Sequence, residues 1–277
     1  MESRVVYRAV APVKPAAGYI GGKKKLSKML VDRISRIPHE TYAEPFVGMG
    51  GVFLRRPRAP RGEIINDRSG DVATFFRILQ RHYVPFMDML RWQFTGRQEF
   101  ERLKASDPGT LTDLERAARF LYLQRTAFGG KVAGRNFGVD PLGGRFNVTK
   151  LAPILDALHD RLAGVVIECL PWADFIARYD RPGTLFYLDP PYWGGENDYG
   201  AGMFDRVEFE RMAAVLRGLQ GHFILSINDV PDIRKTFAGF TIKPVSLTYT
   251  VARSTNAHPA RELIISRRRF CRRRIPT

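Results

Sequence analysis

The stretch Leu185-Phe186-Tyr187-Leu188-Asp189-Pro190-Pro191-Tyr192-Trp193 constrains this chain more than any other. Four apolar or aromatic residues run unbroken into one acid, the pattern of a parallel strand buried on both faces. The carboxyl ends of such strands are where open α/β sheets gather their ligands, so Asp189 is delivered to a crevice. Pro190 and Pro191 add fixed φ angles and carbonyl acceptors but no N–H, and Tyr192 adds a stacking face.

A stiff acceptor turn beside an aromatic ring suits one chemical problem. The exocyclic amine of adenine is a poor nucleophile because its lone pair is delocalised into the ring. A carboxylate at Asp189 and the carbonyl of Pro190 can each accept one of its N–H bonds and aim the lone pair at a methyl donor. Pro191 fixes the turn and Tyr192 stacks on the base. The bland alternative is a strand ending in an Asx-Pro turn, and a cofactor site upstream decides between the two.

Three upstream segments supply candidates. Gly18-Tyr19-Ile20-Gly21-Gly22-Lys23 opens a helical pattern (Leu26, Met29, Leu30, Ile34, Ile37), where backbone N–H groups approach an anion and Lys23 reaches a carboxylate, or else a solvated turn. Thr41 to Val47 reads as a strand breaking into Glu44-Pro45-Phe46-Val47-Gly48-Met49-Gly50-Gly51, with a helix beginning at Val52, Phe53 and Leu54; its glycines admit a ligand close to the backbone. A strand Glu63 to Asn66 ends at Asp67, about 20 positions after Gly48, the separation at which an acid binds ribose hydroxyls. The competing role for Asp67 is capping the helix near Ser69.

Taken in order, these segments resemble the adenine-N6 DNA methyltransferases that carry Asp-Pro-Pro-Tyr, specifically the Dam-like (D12 class) group, over residues 18 to 265. The resemblance implies S-adenosylmethionine as cofactor. Tyr19 and Lys23 would lie against it, Phe46 would pack on it, Gly48 and Gly50 would make room for its methionine part, Asp67 would hold its ribose, and Asp189 would border it. Pro171-Trp172-Ala173-Asp174 matches a family stretch bordering the cofactor's adenine, so Trp172 is either a wall of that pocket or a core residue. Phe120 to Lys131 and the Gly-rich loop closing in Phe146-Asn147-Val148 look like the family's target-recognition part. Arg125, Lys131, Arg135 and Asn136 are candidates there for DNA contact, Arg and Asn being suited to guanine and adenine edges, or else are solvated loop residues. Gly129 stands where the GATC-methylating members carry Asn, and Thr149 where they carry Pro, so that target is not inherited.

Lys and Arg number 44 against 28 Asp and Glu, a net +16 that points to a polyanion partner, which the resemblance implies is double-stranded DNA. From Arg253 to Thr277 eight Arg stand against one Glu, in a tail that is either disordered or in contact with phosphate. Cys169 and Cys271 suit a reducing cytosol, and no zinc site or covalent intermediate is expected of them. Neither a long apolar run nor a secretory segment is evident, so a soluble, cytoplasmic protein is expected, as a monomer or weak dimer.

The expected fold is α/β, a Rossmann-like methyltransferase sheet in residues 18–80 and 150–266. A mostly helical recognition insertion (81–149) interrupts it, with an extended arm (1–17) and a basic tail (267–277) at the ends. The loop 194–203 is expected to be mobile, with Tyr199 or Phe204 clamping the base. Rival readings are a methyltransferase acting on cytosine N4, an RNA adenine or a protein amide, and a basic DNA-binding module without catalysis. Pairing with a restriction enzyme is left open.

Overall fold

The structure, a computed structural model, describes residues 5–19, 23, 26–138, 144–196, 202, 204–249 and 258–267. Its elements begin with β1 (Arg8–Ala9), α1 (Ser27–Ser35), β2 (Thr41–Glu44), β3 (Arg58–Ala59), β4 (Gly62–Asn66) and α2 (Gly70–Arg81). Then come α3 (Tyr83–Arg91), α4 (Arg97–Ala105), α5 (Asp113–Thr126), α6 (Val148–Arg161), β5 (Val166–Glu168) and α7 (Trp172–Tyr179). The chain continues through β6 (Thr184–Leu188), α8 (Val207–Gly218), β7 (His222–Asn228), α9 (Pro231–Thr236), β8 (Thr241–Tyr249) and β9 (His258–Ser266).

Seven strands form one sheet in the order β5-β4-β2-β6-β7-β9-β8, parallel from β5 to β7, with β9 antiparallel to both β7 and β8. Helices cover both faces, which explains the unbroken apolar run of β6. Leu185 and Tyr187 enter one core with α1, α2, α3, α5 and α6, while Phe186 and Leu188 enter the other with α7, α8 and α9. From β2 the chain passes outward to β4, and after the helical segment it returns to place β6 on the other side of β2. The strand order therefore reverses between β2 and β6, and a crevice opens beyond their carboxyl ends.

Among the described residues 81–149 no strand of the main sheet occurs, and α3, α4 and α5 fill the segment. They are not a separate body. Phe75, Phe86, Phe100 and Phe120 share one core with Tyr42 and Leu185 of the sheet. Helix α5 starts in a reciprocal cap, the Thr112 hydroxyl accepting from the Glu115 N–H and the Glu115 carboxylate accepting from the Thr112 N–H. The loop after it is pinned as a narrow hairpin by Phe128 N–H to Asn136 O (2.8 Å) and Gly138 N–H to Thr126 O (2.8 Å). Phe-Asn-Val then has a plain structural purpose: Phe146 packs against Tyr122, and the Asn147 side chain caps α6 by accepting from Lys150 N–H at 3.0 Å.

Below the crevice lies a buried triad. Glu63 of β4 takes Arg56 at 2.7 Å and Arg161 of α6 at 2.7 and 2.8 Å, with Arg56 over the Tyr42 ring and Arg161 over Phe53.

Several expectations are corrected. The helix expected from Val52 is a single 3-10 turn, Phe53–Arg55, because Pro57 forces Arg56 into an extended conformation. The run Val165 to Leu170 reads in the sequence as a short buried strand, but it shrinks to β5, and as an edge strand it leaves Val166 46% exposed. The N-terminal residues run extended but are bound to the body: β1 pairs with β3, and Val13, Ala16 and Ala17 are buried. No helix among the described residues is long and apolar enough to cross a membrane.

Candidate active site

Strand β6 ends by placing Asp189 among groups from three other parts of the chain. Its Oδ1 accepts from the Ser226 hydroxyl of β7 (3.2 Å), which itself pairs with the Tyr187 hydroxyl at 2.8 Å. The same oxygen lies 2.8 Å from the Lys23 ammonium. Lys23, 2% exposed, also donates to the Tyr192 hydroxyl, stands 4.3 Å from the centroid of that ring, and lies 3.5 Å from Glu262 Oε2 of β9. Burial raises the Asp189 pKa to about 6, and the Lys23 charge works against that rise. Asn228, at the end of β7, holds the next residue of the turn at both ends: it accepts from Trp193 N–H and donates to Trp193 O, each at 2.9 Å.

A cavity of about 750 Å³ opens beside this turn. Asp189 and Pro191 border it together with Tyr19, Lys23, Phe46, Gly48, Asp67 and Trp172, so residues from both ends of the sequence meet in one space. The glycine turn after β2 explains part of its shape. Gly48 has a φ of 50°, and a Cβ there would sit 2.9 Å from the Tyr19 ring. Asp67 fastens that turn, accepting from Gly48 N–H and Ser69 N–H at 2.9 Å each, and burial lifts its pKa to about 6. It therefore does not cap α2 through a side chain; the cap position is Ser69. Trp172 is buried and donates its indole N–H to Glu208 at 2.7 Å. Gly50 (φ 77°) faces Leu54 and Phe76 behind the turn and does not line the cavity.

A model of the D12 class N6 adenine-specific DNA methyltransferase family matches residues 19–251. The chain belongs to this family. It is similar to the type II methyltransferase M.CviBI of Paramecium bursaria Chlorella virus NC1A, 22% identical over 82% of this chain and 88% of that relative. The type II methyltransferase M1.LlaDCHI of Lactococcus lactis subsp. cremoris is 23% identical over 92% and 95%. The DNA adenine methylase of Escherichia coli K12 is 29% identical over 63% of each chain. As an N6 adenine-specific DNA methyltransferase, the enzyme uses a methyl donor and acts on adenine in DNA, which sets aside cytosine N4, RNA and protein amides as its acceptors.

In this methyltransferase the four recognition candidates divide. Lys131 and Asn136 are exposed on the hairpin. Arg125 turns inward, donating to Ala16 O at 2.6 Å and Arg145 O at 3.3 Å while lining the cavity, and Arg135 donates to Gln124 Oε1 and Lys131 O at 3.2 Å each. Phe204 is a buried wall packed edge-on against Phe46 (6.1 Å), not a clamp on a loop. Tyr199, the loop 253–257 and the arginines after Arg267 lie outside the described residues, as does Cys271.

Two carboxylates were missed. Glu44 borders the cavity at the end of β2, accepts the Tyr42 hydroxyl at 2.7 Å, and is pushed up to about 8 by burial. Glu262 faces Lys23. Its signal was present, as the only acid in a run of arginines and the one immediately before the apolar stretch of β9.

Proposed function

We propose that the cavity binds S-adenosylmethionine and that the Asp189–Tyr192 turn receives an adenine flipped out of duplex DNA. The residues fit the donor. Phe46 and Trp172 offer flat apolar walls, Asp67 a half-buried carboxylate for ribose hydroxyls, the hollow over Gly48 a close backbone approach, and Lys14, Arg55 and Arg125 cations for a carboxylate. When bound, that cofactor supplies an electrophilic methyl carbon on a sulfonium.

The chain's own residues do the rest. Asp189 accepts one N6–H and the Pro190 carbonyl the other, Pro191 keeps the turn rigid, and Tyr192 stacks on the base. The proton lost by the amine on methylation passes to the Asp189 carboxylate. Lys131 and Asn136, exposed on the hairpin after α5, face the DNA. Arg125 and Arg135 support this surface from beneath through carbonyls.

One observation carries this reading: Phe46, Asp67 and Trp172 share a single cavity with Asp189 and Pro191. The test is methyl transfer from tritiated S-adenosylmethionine to unmethylated duplex DNA, followed by nucleoside analysis. Label in N6-methyladenine is expected. DNA binding without label in any nucleoside would favour a binding module that has lost catalysis.

A further inference from the structure

The ammonium of Lys23 makes contacts that a cofactor-binding lysine would not. It lies 2% exposed, and removing an ammonium from water costs several kcal/mol unless acceptors replace the lost hydration. A lysine has three N–H bonds to satisfy. Here two acceptors hold it, Asp189 Oδ1 and the Tyr192 hydroxyl, and a third oxygen, Glu262 Oε2, stands 3.5 Å away as a second countercharge. All three belong to the catalytic turn or the strand behind it. The donor's carboxylate has other cations at its disposal in Lys14, Arg55 and Arg125.

We propose that Lys23 is a positioning residue for methyl transfer: its ammonium locks Asp189 and Tyr192 into one geometry and keeps the carboxylate in its charged, accepting form, with Glu262 as the second anchor. The inference rests on the reading of Asp189 and Tyr192 given above. Lys23 and Ser226 both occupy Oδ1, so Oδ2 is the oxygen presented to the incoming amine. Lys23 meets the Tyr192 ring at its hydroxyl end, 4.3 Å from the centroid, and so fixes where the ring points. The groups around Asp189 set the electrostatics: Glu262 on β9, Glu44 on β2 and Tyr187 on β6 are acidic, and Ser226 on β7 is neutral. Burial and Glu262 favour protonated Asp189, and Lys23 opposes them.

The experiment is the pH dependence of single-turnover methyl transfer to duplex DNA between about pH 5 and 9, with cofactor affinity titrated separately. It compares wild type with Lys23→Met, Lys23→Arg and Lys23→Met/Glu262→Gln. The wild-type rate is expected to rise through a midpoint near 6. In Lys23→Met the midpoint moves up by about one unit or more, so transfer at pH 6 falls by about fivefold or more and recovers toward alkaline pH. Lys23→Arg restores the midpoint, and cofactor affinity stays within about threefold in all variants. The double variant, which removes one charge of each sign, supplies a folded comparison should Lys23→Met fail to fold; its midpoint also lies above wild type. An unmoved midpoint with a uniform loss of rate reduces Lys23 to a structural role. A cofactor affinity lowered about tenfold with an unmoved midpoint makes it a ligand of the donor's carboxylate, and either result overturns the proposal. Wild-type enzyme that transfers no methyl group overturns the underlying reading, and this inference with it.

Discussion

Replacing Asp189 with Asn preserves the size of the side chain and reverses the chemistry that faces the amine. Lys23 and Ser226 both donate to Oδ1, so the single oxygen of the introduced amide is drawn to them. Its NH2 group is left where an acceptor is required, donor against donor. The electrostatic loss comes on top of this. During transfer the amine nitrogen develops positive charge about 3 Å from the carboxylate, and at an effective dielectric near 20 a full charge is stabilised by roughly 5 kcal/mol, a half-developed one by roughly half that. The smaller figure alone slows transfer by about 70-fold, and the misplaced donor carries the expected loss to about 10³-fold. The assay is single-turnover transfer at saturating cofactor and DNA, with DNA affinity by fluorescence anisotropy and a thermal melt as controls. Affinity is expected to stay within about threefold, because the substitution changes one group of a large interface. A folded Asp189→Asn enzyme that retains more than about a tenth of the wild-type rate constant would refute the assigned role.

Three further outcomes are expected. Glu63→Gln leaves Arg56 and Arg161 buried without their shared countercharge and lowers stability by roughly 3–5 kcal/mol, a drop in Tm on the order of 10 °C in a differential scan. Gly48→Ala combines a φ of 50° with a Cβ 2.9 Å from the Tyr19 ring, so cofactor affinity by titration falls about tenfold or more while DNA affinity is retained. Glu44 has a folded pKa of about 8 against an ordinary value of 4.5, so the folded chain holds that proton after the unfolded chain has lost it. Its contribution is complete below 4.5 and is lost as pH climbs to about 8, so Glu44→Gln gains stability relative to wild type over that window in denaturant titrations.

Much of this was legible in the chain. The run Leu185 to Leu188 announced a strand buried on both faces, and the acids and glycines at the ends of β2 and β4 announced a ligand crevice, because local periodicity and turn chemistry are written in consecutive residues. Long-range partners were not. Nothing near Lys23 in the sequence says that its ammonium meets Asp189 and Glu262, since that depends on how α1 and β9 approach β6. Arg125 and Arg135 read as surface charges on a polar loop, yet the carbonyl of Ala16 and the buried side chain of Gln124 draw them inward. The strand at Val166 read as buried from its apolar residues alone, and only the sheet order makes it an edge.

The aromatic spine joining Phe75, Phe86, Phe100 and Phe120 to the sheet residues Tyr42 and Leu185 limits how this enzyme can diversify. A cassette exchange of the helical segment between relatives would cut through a shared interior and expose it on both sides. With the DNA-facing role proposed for the hairpin, the place left for new specificity is its outward tip, where the exposed Lys131 and Asn136 can change without disturbing the scaffold beneath.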